Sequence, residues 1–128
     1  NVVHVYDLVD WVTQAGYVAG RGAAKFAIAQ RKHVDREVPL DAGDNVRHVV
    51  PHRLRKDALV ERDVQLQMRV TRPIEERVSV ELMDGHEVVA KQGARYARPG
   101  EMVTLQVPQK AYDAVNKADR LSVRVRER

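Results

Sequence analysis

Val64-Gln65-Leu66-Gln67-Met68-Arg69-Val70 alternates apolar and polar residues without a break. Successive side chains of a strand point to opposite faces, so this stretch predicts a strand with one face buried and one face wet. The same two-residue period returns in Val78, Val80 and Leu82, and again in Leu121, Val123 and Val125, where arginines fill the alternate positions. Val46 to Val50 reads as a short strand stopped by Pro51. Asp84-Gly85 is a hairpin signal leading into a strand from His86 through Tyr96. Pro99-Gly100 turns the chain, Met102 to Val107 is the next strand, and Pro108 to Val115 fits one short helix with proline in its first turn. About six short strands at this spacing predict a small antiparallel β-sandwich of immunoglobulin-like architecture over residues 46–128. There is no Cys…Trp…Cys pattern, which sets antibody-type domains aside. The predicted core comprises Val64, Leu66, Met68, Val70, Val78, Val80, Leu82, Leu105, Val107, Leu121, Val123 and Val125.

Upstream the period changes. Leu8, Trp11, Val12, Ala15, Val18, Ala19, Gly22 and Phe26 recur at helical spacing, which predicts a helix over roughly Asp10 to Arg31. A second stripe, Gly16, Gly20, Ala23 and Ala27, lies beside the first. Glycine inside a helix costs roughly 1 kcal/mol against alanine, and is tolerated where another backbone must approach closely. The helix is therefore expected to be covered on most of its circumference, in this chain by a second copy, making a homo-oligomer. An ordinary core helix of a small α+β domain has the same spacing. Asn1 to Tyr6 alternates like a strand and has no partner before it, so the chain is expected to be a piece of a larger protein. Between the halves, Pro39, Asp41, Gly43, Asp44 and Asn45 read as a linker over residues 34–45. The fold class expected is α+β: strand and helix over residues 1–33, linker, then sandwich.

Composition bounds the chemistry. The 128 residues are 44% hydrophobic and 31% charged, a globular balance. No apolar run is long enough to span a membrane, and no cysteine is present to build a disulfide, thiol nucleophile or zinc-thiolate site. A cytoplasmic protein is the expectation. Net charge is +4, from 22 Lys+Arg against 18 Asp+Glu, mostly interspersed. The one dense basic run, His52-Arg53-Leu54-Arg55-Lys56, reads as a solvated loop rather than a nucleic-acid patch, because few aromatics fall near it. His48 and His52 lie four apart, which suits a metal on a helix but not a strand ended by Pro51. Gly16-x-x-x-Gly20-x-Gly22 lies inside a helix, whereas a phosphate loop needs free N–H groups ahead of one. Ser79 and Ser122 sit on strands without a His-Asp pattern, and Glu75-Glu76 and Asp7/Asp10 read as surface or capping carboxylates.

One stretch is more specific. A strand ends at Tyr6-Asp7-Leu8-Val9-Asp10-Trp11-Val12, and Val12-Thr13-Gln14-Ala15-Gly16 opens the helix, which continues Gly22-Ala23-Ala24. This resembles the last FAD-contacting segment of flavoproteins with two dinucleotide-binding domains, the thioredoxin-reductase-like group. It is most similar to bacterial NAD(FAD)-dependent dehydrogenases that append a small β domain. Tyr6 stands where many relatives of the wider group have glycine. The resemblance covers Asn1 to about Ala29, and the β half in general pattern only. It implies an FAD-dependent NAD(P)H oxidoreductase, with Asp7 on the ribityl chain and the backbone of Val12 and Thr13 at the flavin pyrimidine edge. FAD would be the cofactor and NAD(P)H the co-substrate. The partners implied are the rest of the flavoprotein chain and a partner oxidoreductase subunit. This chain contributes no catalytic side chain in that reading and would be inactive by itself. The rival readings are a non-enzymatic immunoglobulin-like adaptor whose helix docks on a partner and, more weakly, a basic nucleic-acid-binding domain.

Overall fold

The computed structural model describes residues 5–29, 37–56 and 58–128. They fall into two compact units, Asn1–Val34 and Asp35–Arg128. The first unit is helix α1, Val9–Ala29. Its start agrees with the stripe read from the sequence. The expected last turn to Arg31, and residues 1–4 of the expected first strand, lie outside the described residues. Val5 and Tyr6 belong to no strand. A lone helix cannot cover its own apolar stripe, and Leu8, Val9, Val12, Val18, Phe26 and Ile28 are exposed.

The second unit holds strands β1 (Glu37–Ala42), β2 (Val46–Val50), β3 (Arg53–Arg55), β4 (Val64–Val70), β5 (Val78–Asp84), β6 (Glu87–Ala94), β7 (Val103–Val107) and β8 (Leu121–Glu127). Short helices α2 (Ala58–Glu61) and α3 (Tyr112–Lys117) interrupt them, the latter entered through a 3-10 turn at Gln109–Ala111 behind Pro108. One sheet runs β3-β1-β8-β5-β6 and the other β2-β4-β7. Both contribute to one core cluster, an arrangement compatible with an α+β β-sandwich. The alternation predicted it: Leu66, Met68, Val70, Val78, Val80, Leu82, Leu105, Val107, Leu121, Val123 and Val125 are buried and Val64 is half-buried against them. The hairpin signal also stands, because Asp84 pairs with Glu87 around Gly85, whose φ of 56° needs no Cβ to be cleared.

Three expectations are corrected. The linker over residues 34–45 contains β1, with Val38 and Leu40 buried, so the β unit begins before residue 46. Pro39 obscured it. Residues 37–39 of β1 pair with β3, and residues 40–42 pair with β8. The proline therefore sits where the strand changes neighbour, a position at which a missing N–H disturbs a ladder least. Second, β1 runs parallel to β8, so the five-stranded sheet is mixed rather than antiparallel. Third, the basic run is no solvated loop: Arg53–Arg55 is the edge strand β3, and Leu54 and Lys56 are buried. The Lys56 ammonium donates to the Asn116 carbonyl near the end of α3, where a cation also meets the negative end of the helix.

Candidate functional site

The residues that resemble a flavin contact lie near the start of α1, Asp7 ahead of it and Val12 and Thr13 within it. The Leu8 carbonyl accepts from the N–H groups of Trp11 (3.1 Å) and Val12 (3.3 Å), which makes Leu8 the cap residue. Asp7 stands one residue ahead of it, exposed, rather than being the cap itself. Thr13 turns its hydroxyl back along the helix and donates to the Val9 carbonyl at 3.0 Å. The Val12 N–H and the Thr13 hydroxyl are thus taken up inside the helix. Ahead of them, Val9 and Asp10 open the helix, and the exposed Asp7 stands two residues before its first position. A helix start carries partial positive charge, and a carboxylate accepts hydrogen bonds from hydroxyls.

The β unit holds three polar constructions that sequence reasoning missed. Glu81 on β5 is 2% exposed on the outward face of the five-stranded sheet. Arg124 Nε donates to it at 2.8 Å, Arg126 Nε at 3.2 Å and the Ser79 hydroxyl at 2.9 Å. Burial by itself would push this carboxyl up, but those hydrogen bonds outweigh it and hold the group below the usual carboxylate range. The arginines on alternate positions of β8 were the one available signal.

Arg98 makes the second. It grips Glu75 with two parallel bonds, Nε to Oε1 at 3.1 Å and Nη2 to Oε2 at 2.7 Å, and lies 4.4 Å from the Tyr96 ring centroid. The Arg98 hydrogen bonds hold the Glu75 carboxyl below its ordinary range. Tyr96, Arg98, Gln92 and Thr104 line a shallow pocket of about 130 Å³ between the β6 and β7 edges. At that edge the Gln92 side-chain oxygen accepts from the Gln106 N–H at 3.0 Å, so a side chain stands in for a neighbouring strand.

The third is basic. The β2–β4 register slips between Val46 and His48, so Arg47 is an extra residue in the strand. His48 lies opposite Arg69 of β4. Burial, then Arg69, His52 and Arg47, push the His48 imidazole pKa down. Among the described residues no three His, Asp or Glu side chains gather as a metal would require. Nor is any described helix long and apolar enough to cross a membrane. Comparison of the chain with protein-family models, with curated proteins and with solved structures finds no match in any of the three.

Proposed function

We propose that this chain is the C-terminal part of an FAD-dependent NAD(P)H oxidoreductase, contributing one wall of the flavin site and an accessory β domain. The observation that carries the reading is the first turn of α1. There a carboxylate at Asp7 stands immediately ahead of the leading N–H groups of a helix capped at Leu8. In this reading Asp7 accepts from the ribityl hydroxyls, and the helix start favours negative charge at the ring edge. Bound FAD supplies the hydride chemistry, with NAD(P)H as donor. The adenosine and pyrophosphate grips belong to the rest of the flavoprotein chain. That same chain is the natural cover for the stripe of Leu8, Val12, Val18 and Phe26. The β unit has a closed core of its own, which suits an accessory domain that packs or binds a partner oxidoreductase subunit.

The same closed core favours a second reading, an immunoglobulin-like adaptor with no flavin. Purifying the full-length protein that carries this chain decides between them. The flavoprotein reading expects a stoichiometric flavin spectrum that bleaches on addition of NADH or NADPH. A colourless protein that neither binds FAD nor oxidises either nucleotide would leave the adaptor.

A further inference from the structure

The outward face of the five-stranded sheet is cationic, and register aligns its charges in rows. Arg124 of β8 and Lys91 of β6 lie on either side of Glu81 of β5. In the next outward row Arg126 and Gly93 flank Ser79. Alternation puts Arg128 on the same face, and its backbone N–H extends the ladder by donating to the Arg77 carbonyl at 2.9 Å. In these rows the single carboxylate of Glu81 stands among four cations, Lys91, Arg124, Arg126 and Arg128. On the β1 side the patch ends at Asp41, beside Ser122, and Arg120 holds that carboxylate at 2.6 Å.

Two features set the positions of the cations. Glu81 is buried, and Arg124 and Arg126 both engage it through their Nε and Nη2 nitrogens. A guanidinium gripped along that edge still carries the Nη1 donors on its other side. Both arginine side chains keep part of their surface in water, so their donors are fixed at the base and open at the tip. Gly93 clears the space beside Ser79: Arg128 Nη1 stands 3.4 Å from the point that a Cβ there would occupy.

We propose that this face of β5, β6 and β8 docks an acidic segment of a partner protein, extended along β8. Arg124, Arg126 and Arg128 alternate on one strand, which spaces them by about 6.8 Å. Alternate side chains of an extended peptide repeat at the same interval. Acidic residues at every second position would therefore each meet a guanidinium. A guanidinium takes a carboxylate with paired donors, as Arg124 already takes Glu81. A protein acid fits this face better than a nucleic acid. The other outward positions of these strands are Ser79, Met83, Val88, Gly93 and Ser122, which offer no aromatic ring for a base to stack on. The inference concerns the β unit by itself and stands whether the chain serves a flavoenzyme or an adaptor.

The test titrates the 128-residue chain into a labelled peptide that alternates glutamate and threonine, read by fluorescence anisotropy. The control is the same peptide with glutamine for glutamate. The expected result is saturable binding of the glutamate peptide alone, weakened by salt, with amide NMR shifts along β8 and β6. Lys91→Gln and Arg126→Gln should each weaken binding roughly twofold to fivefold. Lys91 is exposed, so Lys91→Gln carries the test even if Arg126→Gln, which loosens Glu81, fails to fold. Equal binding of the two peptides, or unchanged binding in Lys91→Gln, would overturn the docking face. So would an equal loss in Arg47→Gln, on the other sheet, because net charge alone would then explain the attraction. A duplex oligonucleotide bound far more tightly than the peptide through the same residues would overturn it as well.

Discussion

Arg124 on β8 reaches across to Glu81 on β5 and closes on one carboxylate oxygen with two nitrogens, Nε at 2.8 Å and Nη2 at 2.7 Å. The pair is lopsided: Glu81 is buried, whereas the side chains of Arg124 and Arg126 are 33% and 56% exposed. Removing the acid lets both arginines return to water. The loss should fall short of the about 3–5 kcal/mol seen when a fully buried pair is broken. We expect Glu81→Gln to cost about 1–3 kcal/mol in urea denaturation. A folded pKa below the unfolded one means stability that is complete above the unfolded value, about 4.3, and lost as pH falls through the folded value. Unfolding midpoints measured from neutral to acid pH should therefore drop more steeply in the parent chain than in Glu81→Gln. Parallel curves would remove Glu81 from the account of acid stability.

If β1 is a sheet strand, its core residue must matter. Leu40 is 5% exposed and packs in the common cluster. Leu40→Ala should destabilise by about 2–4 kcal/mol, the range for a large-to-small core change. A linker residue would move the midpoint by less than about 0.5 kcal/mol.

Gly43 offers a backbone test of the same region. A Cβ there would stand 2.8 Å from the Val123 carbonyl oxygen, in the neighbouring strand, while its own N–H donates to that oxygen at 2.8 Å. Backbone cannot swing aside like a side chain, so Gly43→Ala should cost about 1–3 kcal/mol. A thermal melt unchanged by the substitution would mean the β1–β8 approach is looser than described.

Asn45 combines a left-handed φ with three hydrogen bonds. Asn45→Gly restores the backbone freedom but loses the clamp, and Asn45→Ala loses both. The order of stability should be Asn, then Gly, then Ala, with Asn45→Ala down by about 2–4 kcal/mol. Equal losses in the two variants would show that the clamp, and not the backbone, sets the position.

The strands that carry the core were legible because alternation is a local signal; β4 and β8 display it without interruption, and β5 as far as Leu82. β1 was hidden because Pro39, Asp41 and Gly43 resemble turn punctuation. The change of neighbour from β3 to β8 places Pro39 where a missing N–H disturbs the ladder least, and Gly43 follows the strand's end. β3 was hidden because Arg53 and Arg55 look solvated, whereas an edge strand welcomes such charges. The arginines alternating along β8 hinted at the Glu81 cluster, but their acidic partner, 43 and 45 residues away in sequence, could not be read. At α1 the helix start was legible but its cap was not: Leu8 has no side-chain oxygen and so leaves none of the usual capping signature. The helix itself takes up the Val12 N–H and the Thr13 hydroxyl, two groups near the Asp7 position.

The flavin reading stands or falls at Asp7. The direct measurement is bound FAD per chain in the full-length protein, compared between the parent and Asp7→Ala, with circular dichroism to confirm that both are folded. The account predicts stoichiometric flavin in the parent and a clear loss in Asp7→Ala, while Asp7→Asn, which keeps an acceptor oxygen, retains more. Equal flavin content and equal NAD(P)H oxidation in all three would contradict it, as would a parent that carries no flavin.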